Sequence, residues 1–213
     1  MPCKDVFQTI EGNSKGLFKD KGSSFISYIF PVFDESVVKE HLLVLKKEHP
    51  KARHICYAYR WGPDPDYNRI NDDGEPNGTA GKPILNQLRS HELENTLVAV
   101  VRYFGGTLLG VPGLIQAYKS AALNAIQQAS IISMRRNTYF HLSTNYVQEK
   151  QVHTLIKKLD GVIVKKTFGE CIDLRVAFPI SLVETIPVEF KQISREMQWD
   201  ESTTCTFVNK DQF

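Results

Sequence analysis

Apolar residues recur along the chain at two periods, which together predict a protein of mixed helices and strands. The segment 23–33 (SSFISYIFPVF) is rich in β-branched and aromatic residues and predicts a strand. Val38, Leu42 and Leu45 then recur at helical spacing. Because Asp34, just before them, is a favourable capping residue, a helix is predicted to begin there.

The rest of the first 132 residues continues this alternation of helices and strands. The five apolar residues Leu97–Val101 are typical of a strand that is buried on both faces. The predicted elements are strands at 54–61 and 95–104, a long polar loop at 62–78, a helix from 79 to 90, a Gly-rich turn at 105–113 and a helix to about residue 129. Residues 1–132 are therefore predicted to form one α+β domain.

The pattern restarts after residues 133–137 (SMRRN), which predicts a domain boundary there and a second domain at 133–213. The predicted elements are a strand around 140–142, a helix around 152–159, strands at 162–168 and 171–178 joined by a two-residue turn, a helix around 183–193 that Pro187 must start, kink or break, and a strand at 203–208. The order β-α-β-β-α-β is that of a ferredoxin-like domain.

Composition and charge exclude few classes of protein. The chain has 26 Lys and Arg against 24 Asp and Glu, a balance that gives no strong attraction to nucleic acid or to an anionic membrane. A membrane-spanning helix needs about 18 consecutive apolar residues, and no run in this chain approaches that length. The N-terminus lacks the apolar core of a signal peptide. The four cysteines are far apart and are interpreted as reduced thiols, so a cytoplasmic location is predicted.

The loop 71–83 (NDDGEPNGTAGKP) carries three carboxylates that are candidates for metal ligands or acid–base groups. They belong to Asp72, Asp73 and Glu75. An EF-hand calcium loop needs acidic ligands at alternate positions, whereas Asp72 and Asp73 are adjacent. The sequence therefore predicts no calcium loop here.

The same loop is not a Walker phosphate loop either. Pro76 stands in the place of the first glycine, and Pro83 follows Lys82 where serine or threonine is required. Two interpretations remain open. The backbone N–H groups from Thr79 to Lys82 open a helix and have anion-binding geometry, or Thr79 simply caps the helix while the upstream acids offset its dipole.

Two other features have ordinary structural explanations. Gly105 and Gly106 follow a strand and precede a helix, but the Gly-x-Gly-x-x-Gly pattern is absent, so no nicotinamide site or other cofactor is predicted. His54 and Cys56 share one strand face and could be half of a metal site. No second ligand pair follows, so core residues are the preferred interpretation and no metal is predicted.

Basic residues lie next to aromatic ones in two of the predicted strands, a pattern that is typical of nucleic-acid binding sites. Arg60 follows two tyrosines of its strand, and Arg102 precedes an aromatic pair. Residues 50–120, however, contain eight basic and seven acidic side chains. Such a segment binds nucleic acid well only if the two signs lie on different faces.

Four segments occur in the order seen in the IMPACT/YigZ family, which the chain resembles over residues 14–130. They are KGSSFISYIFPV, HICYAYRW, NDDGEPNGTAGKPIL and VVRYFGGTLLGVPGLIQAY. The remainder resembles the small C-terminal domain of the bacterial members, which is similar to a translation elongation factor domain.

The resemblance implies a first domain like the second domain of ribosomal protein S5 and a ferredoxin-like second domain, in the cytoplasm. It also implies a role in translation, since eukaryotic relatives regulate translation initiation through a partner of the stress kinase that phosphorylates the initiation factor. We therefore expect a non-enzymatic regulator that binds RNA, the ribosome or a translation-linked protein.

The chain departs from the family in the second Gly-rich turn. The family usually has a lysine, a glycine and an arginine where this chain has Leu108, Pro112 and Gln116. Two positive charges are thus absent beside the start of the helix, which weakens a phosphate-clamp interpretation of this turn. Arg60, Lys82 and Arg102 remain as the candidate anion contacts.

The candidate binding residues are Arg60, Asp72, Asp73, Glu75, Thr79, Gly81, Lys82, Arg102, Gly105 and Gly106. Two alternatives stay open. One is a small hydrolase that uses the three carboxylates of 71–83, with or without a divalent metal. The other is a protein–protein module, which an exposed apolar patch would favour.

Overall fold

The structure is a computed structural model that describes residues 5–62, 67–191, 193, 196–199 and 206–209. The chain divides into two compact units, and each is described by itself. One unit comprises Gln8–Ile132, and the other comprises Met1–Phe7 with Ser133–Phe213. The division into two domains at 1–132 and 133–213 stays a prediction.

The first 130 residues form a five-stranded antiparallel sheet with three helices, preceded by a strand that belongs to a second sheet. The elements are β1 (Val6–Ile10), β2 (Ser14–Asp20), β3 (Ser23–Pro31), α1 (Glu35–Glu48), β4 (His54–Arg60), β5 (Asn68–Asn71), α2 (Gly81–Ser90), β6 (Thr96–Tyr103) and α3 (Gly110–Gln127). The sheet order is β2-β3-β6-β4-β5.

The central strand β6 is buried because apolar clusters lie on both faces of the sheet. Val98 and Val100 pack in the cluster that contains α2 and α3, whereas Leu97 and Val101 pack in the cluster that contains α1. This confirms the prediction from the unbroken apolar run. Asp34 also caps α1 as predicted, since its carboxylate accepts hydrogen bonds from the N–H groups of Ser36 and Val37.

Three features of this unit differ from prediction. The interpretation of 62–78 as one loop is wrong, because β5 pairs with β4 within it. A polar strand at a sheet edge needs few apolar side chains, so it has little pattern to detect. The first two strands, β1 and β2, were not predicted. Helix α2 begins at Gly81 rather than at Thr79.

The second unit contains a mixed set of strands and helices around its own apolar core. The elements are β7 (Ile131–Thr144), α4 (Glu149–Lys158), β8 (Val162–Phe168), β9 (Ile172–Pro179), a short 3₁₀ helix (Ile180–Leu182), α5 (Thr185–Phe190), β10 (Glu196–Trp199) and β11 (Thr206–Asn209). The sheet order is β1-β7-β9-β8, and β10 and β11 also pair with β7. Its core includes Phe140, Leu155, Val176, Phe178 and Phe190.

Several details of this unit also differ from prediction. Residues 133–137, the predicted boundary, lie inside the long strand β7. Phe168 pairs with Ile172, so the hairpin loop has three residues and not two. Pro187, by contrast, agrees with the prediction that it starts the helix, since it is the third residue of α5, in the first turn, where its missing N–H is not needed. Of the predicted strand 203–208, residues 203–205 lie outside the described residues, and β11 begins at Thr206.

The predicted class of mixed helices and strands is confirmed, with two antiparallel sheets. The S5-like and ferredoxin-like assignments stay predictions. Within the described part of the chain, none of the helices is both long and apolar enough to cross a bilayer.

Candidate functional site

Asp72 caps helix α2 from well upstream of it. Its Oδ1 accepts hydrogen bonds from the N–H groups of Ala80 at 3.0 Å and Gly81 at 2.8 Å. Its Oδ2 accepts one from the N–H of Gly78 at 2.9 Å. The anion-binding geometry predicted for this helix start is therefore present, but the chain's own carboxylate fills it.

The predicted capping role of Thr79 is wrong. Its hydroxyl donates instead to the carbonyl of Pro76 at 2.7 Å, and Ala80 occupies the cap position. Gly81 has a packing role, because an added Cβ would lie 2.9 Å from the Cβ of Ile70 on β5. The helix start is thus held tightly against the neighbouring strand.

Asp73 fastens the same loop to β4. Its Oδ2 accepts a hydrogen bond from the N–H of Ile55 at 2.7 Å, and its carbonyl accepts one from Nδ1 of His54 at 2.7 Å. Its φ of 43° is left-handed, and Gly74 follows with a φ of 87°. The carboxylate of Asp73 therefore has a structural partner.

Glu75 is buried, with 8% of its surface exposed, and its Oε1 receives several donors. Nη1 of Arg102 donates to it at 2.5 Å and the hydroxyl of Tyr118 at 2.8 Å. Nε2 of His54 lies 3.9 Å from the same oxygen. Glu75 thus neutralises a guanidinium that is itself only 5% exposed.

Cys56 extends this buried network. Its Sγ lies 3.2 Å from the hydroxyl of Tyr118 and 3.0 Å from the carbonyl of Asp72. Burial raises the pKa of the Cys56 thiol and of the Tyr118 hydroxyl above their ordinary values. Both groups are therefore protonated donors at neutral pH, and Cys56 is not an activated nucleophile.

The three carboxylates of the loop 71–83 do not converge on one point. Asp72 binds the start of α2, Asp73 binds β4, and Glu75 binds Arg102. The described residues contain no group of three or more His, Cys, Asp or Glu side chains placed to hold a metal ion. This arrangement gives no support to the metal-dependent hydrolase.

A cavity of about 350 Å³ opens above Glu75 and Arg102. The polar side chains that line it are those of Arg53, His54, Glu75 and Arg102. Its other lining residues are mainly apolar: Pro76, Phe104, Leu108, Leu109, Gly110, Val111 and Leu114. The cavity thus combines a charged floor with apolar walls, the composition of many ligand-binding pockets.

The mouth of this cavity carries exposed apolar side chains, which we call the Leu108 face. The face consists of Phe104, Leu108, Val111 and Ile115, which are between 40% and 83% exposed, with Leu108 the most exposed. The first three line the cavity, and Ile115 lies one helical turn beyond Val111. Sequence reasoning missed this face, although Leu108 in the place of a family lysine was a signal for it.

The predicted anion contacts do not form one cluster. His54 pairs with Arg102 at one end of the β4–β6 ladder, whereas Arg60 pairs with Thr96 at the other end. Arg60 donates to the carbonyl of Leu93 at 3.2 Å, and burial lowers the pKa of Arg60 from its ordinary value. Lys82 is exposed and is not among the residues that line the cavity.

Gly105 and Gly106 serve the turn between β6 and α3. A Cβ on Gly105 would lie 1.9 Å from the carbonyl carbon of Gly22, so no larger residue fits there. The N–H of Gly105 donates to Oγ of Ser23 at 3.2 Å. Gly106 has a φ of 87°, which favours glycine. The geometry of the turn therefore accounts for both glycines without a ligand.

Comparison with known proteins identifies the family. The pattern of the Impact N-terminal domain matches residues 21–126. The chain is 34% identical to the IMPACT family member YigZ of Escherichia coli (strain K12) over 177 residues, which are 82% of this chain and 87% of that protein. The chain belongs to the IMPACT family. The segments that carried the resemblance, including the loop 71–83, lie within the matched region.

Another relative and a solved structure match over different shares of the chain. The Protein IMPACT homolog of Saccharomyces cerevisiae is 31% identical over 119 residues, which are 54% of this chain and 45% of that protein. A crystal structure described as that of a hypothetical protein is 30% identical, covers 93% of this chain and 99% of its own, and superposes with a TM-score of 0.66.

Proposed function

We propose that this IMPACT family member is a non-enzymatic, translation-associated regulator that acts by binding another protein at the Leu108 face. Membership of the family supports the translation-related role, since the family resemblance implies that eukaryotic members regulate translation initiation. The division at 132/133 and the S5-like and ferredoxin-like assignments belong to this proposal, as does a cytoplasmic location.

The observation that carries the proposal is the exposure of Leu108. A leucine that is 83% exposed beside three other exposed apolar side chains and a cavity is unfavourable in water unless a partner covers it. Interaction sites of proteins typically have such an apolar centre. The two positive charges that the family usually carries in this turn are absent, which favours a protein over RNA as the ligand.

Catalysis is not part of the proposal. The carboxylates of 71–83 that a hydrolase would use are each engaged by backbone or side-chain donors of the fold. The Cys56 thiol is buried and protonated. The cavity therefore offers a binding floor and no activated nucleophile.

The test is recovery of partners by the 213-residue chain from a lysate of its source organism. Wild type, Leu108→Asp and Leu43→Asp are each tagged and compared before and after ribonuclease treatment, and the bound proteins are identified by mass spectrometry. Leu43 is a matched control, because it is 56% exposed and lies on α1, whose cluster packs on the other face of the sheet.

We expect a translation-linked protein to be retained by wild type and Leu43→Asp after ribonuclease treatment. Leu108→Asp should reduce its recovery at least about tenfold, as is typical of an interface hot spot. Recovery that disappears with ribonuclease, together with a steep salt dependence, would instead indicate RNA binding. Equal recovery by Leu108→Asp would show that the Leu108 face is not the binding surface.

A further inference from the structure

Arg102, on the floor of the cavity, has donors to spare. A guanidinium has five N–H donors, and Glu75 Oε1 accepts from Nη1. Nε of Arg102 has no hydrogen-bond partner among the described residues, although the side chain is nine-tenths buried. Nε itself is too enclosed for a ligand to reach. Arg102 nevertheless lines the cavity, so a ligand acceptor there could bond its other nitrogens and add hydrogen bonds that Glu75 alone does not provide.

The charges around the cavity favour an anionic group. Among the described residues that line it, Arg53 and Arg102 are cationic and Glu75 is the one carboxylate. The lining residues thus carry one more positive than negative charge. Helix α3 also begins at the cavity wall with Gly110, and the partial positive charge at its N-terminus makes the electrostatic potential in the cavity more positive.

The walls favour an apolar group next to that anion. Phe104, Leu108 and Leu114 line the cavity together with Leu109 and Val111. A volume of about 350 Å³ is at the small end of ligand pockets, which range from about 300 to 1,000 Å³. The cavity can take one large side chain and a neighbouring carboxylate, in the way that peptide-binding grooves take single anchors.

We infer that the cavity binds a peptide segment of a partner protein in which a large aliphatic or aromatic side chain adjoins a carboxylate. The apolar side chain packs against Phe104, Leu108 and Leu114, and the carboxylate pairs with Arg102 and Arg53. This inference rests on the proposed protein-binding function and adds the chemical class of the partner segment. A buried guanidinium paired across an interface gives specificity. An uncharged peptide would leave the remaining N–H donors of Arg102 without an acceptor.

The experiment uses a phage-displayed library of random 12-residue peptides as the probe, selected on the 213-residue chain. We expect the recovered peptides to share a large apolar residue next to Asp, Glu or a free C-terminus. The best peptide is then synthesised, and its Kd is measured by isothermal titration calorimetry. Its analogue with the carboxylate replaced by the amide should bind at least about tenfold more weakly, without any change to the protein.

Three protein variants locate the site of binding. Leu108→Asp should weaken the selected peptide at least about tenfold, since it places a like charge in the apolar wall. Arg53→Glu, at an exposed position on the rim, should weaken the carboxylate peptide about three- to tenfold and leave the amide analogue unchanged. Leu43→Asp should bind as wild type does. None of these changes removes a buried group.

Several results would overturn the inference. They are the absence of any enriched peptide, enriched peptides that are basic or lack a carboxylate, equal Kd values for the carboxylate and amide peptides, and displacement of the peptide by a single-stranded RNA oligonucleotide that binds more tightly. If carboxylate peptides bind here but Leu108→Asp loses no partner in the lysate, the proposed function fails, and only the preference of the cavity for a carboxylate stands. If the partner is lost but the peptides need no carboxylate, the inference alone fails.

Discussion

Glu75 is the residue on which the polar contacts of the cavity floor converge. One of its carboxylate oxygens accepts from both Arg102 and Tyr118, and the ion pair is almost fully enclosed. Removing one partner of a buried pair leaves the other charge without compensation, which costs more than the intact pair contributes. The loop 71–83 thereby completes the folded floor as well as lining the cavity.

Glu75→Gln is expected to destabilise the protein by about 3–5 kcal/mol, because it leaves the Arg102 guanidinium buried without a counter-charge. The free energy of unfolding in urea measures this. Glu35→Gln is the control, since Glu35 pairs with Arg69 at the surface and its loss should cost less than about 1 kcal/mol. A double variant, Glu75→Leu with Arg102→Met, should be more stable than Glu75→Gln. Equal effects of Glu75→Gln and Glu35→Gln would contradict the assignment.

Helix α2 shows how a distant residue can determine where an element begins. Its sequence places Thr79 at the expected cap, yet the N–H groups of Ala80 and Gly81 point to Asp72. A carboxylate that accepts three backbone hydrogen bonds satisfies more donors than a hydroxyl can. The loop therefore folds back on itself and fixes the part of the cavity floor that carries Glu75.

Asp72→Ala should destabilise the protein by about 2 kcal/mol or more, because three backbone donors lose a charged acceptor. Thr79→Val, which removes only the bond to Pro76, should cost about 1 kcal/mol. Chemical denaturation of the 213-residue chain measures both values. A larger cost for Thr79→Val than for Asp72→Ala would show that Thr79 is the effective cap.

The chain as a whole is organised so that its first residues belong to the second unit. The N–H of Arg136 donates to the carbonyl of Asp5 at 2.6 Å, and the carboxylate of Asp5 accepts from the N–H and hydroxyl of Ser181. The guanidinium of Arg136 lies 4.2 Å from the centre of the Phe7 ring. A cut of the sequence at one point therefore cannot separate the two units.

A fragment of residues 8–132 is expected to unfold in a single cooperative transition, because both core clusters of its sheet lie within it. A fragment of residues 21–126, the bounds of the family match, should be less stable. It lacks β2, which pairs with β3 along seven residues and packs closely on α3 at Gly16. Thermal unfolding followed by circular dichroism compares the two. A non-cooperative 8–132 fragment would contradict the proposed domain division.

Local sequence patterns were enough to predict the elements that have a strong apolar period and to identify the family to which the chain belongs. The buried strand β6, the capped helix α1 and the match over 21–126 are local or cumulative signals of this kind. The folded structure was needed to see what each carboxylate of 71–83 does and where Arg60 lies. Those outcomes depend on backbone groups and strand registers that are distant in the chain, and such pairings leave no local pattern. The Leu108 face became visible for the same reason, since exposure is a property of the folded molecule.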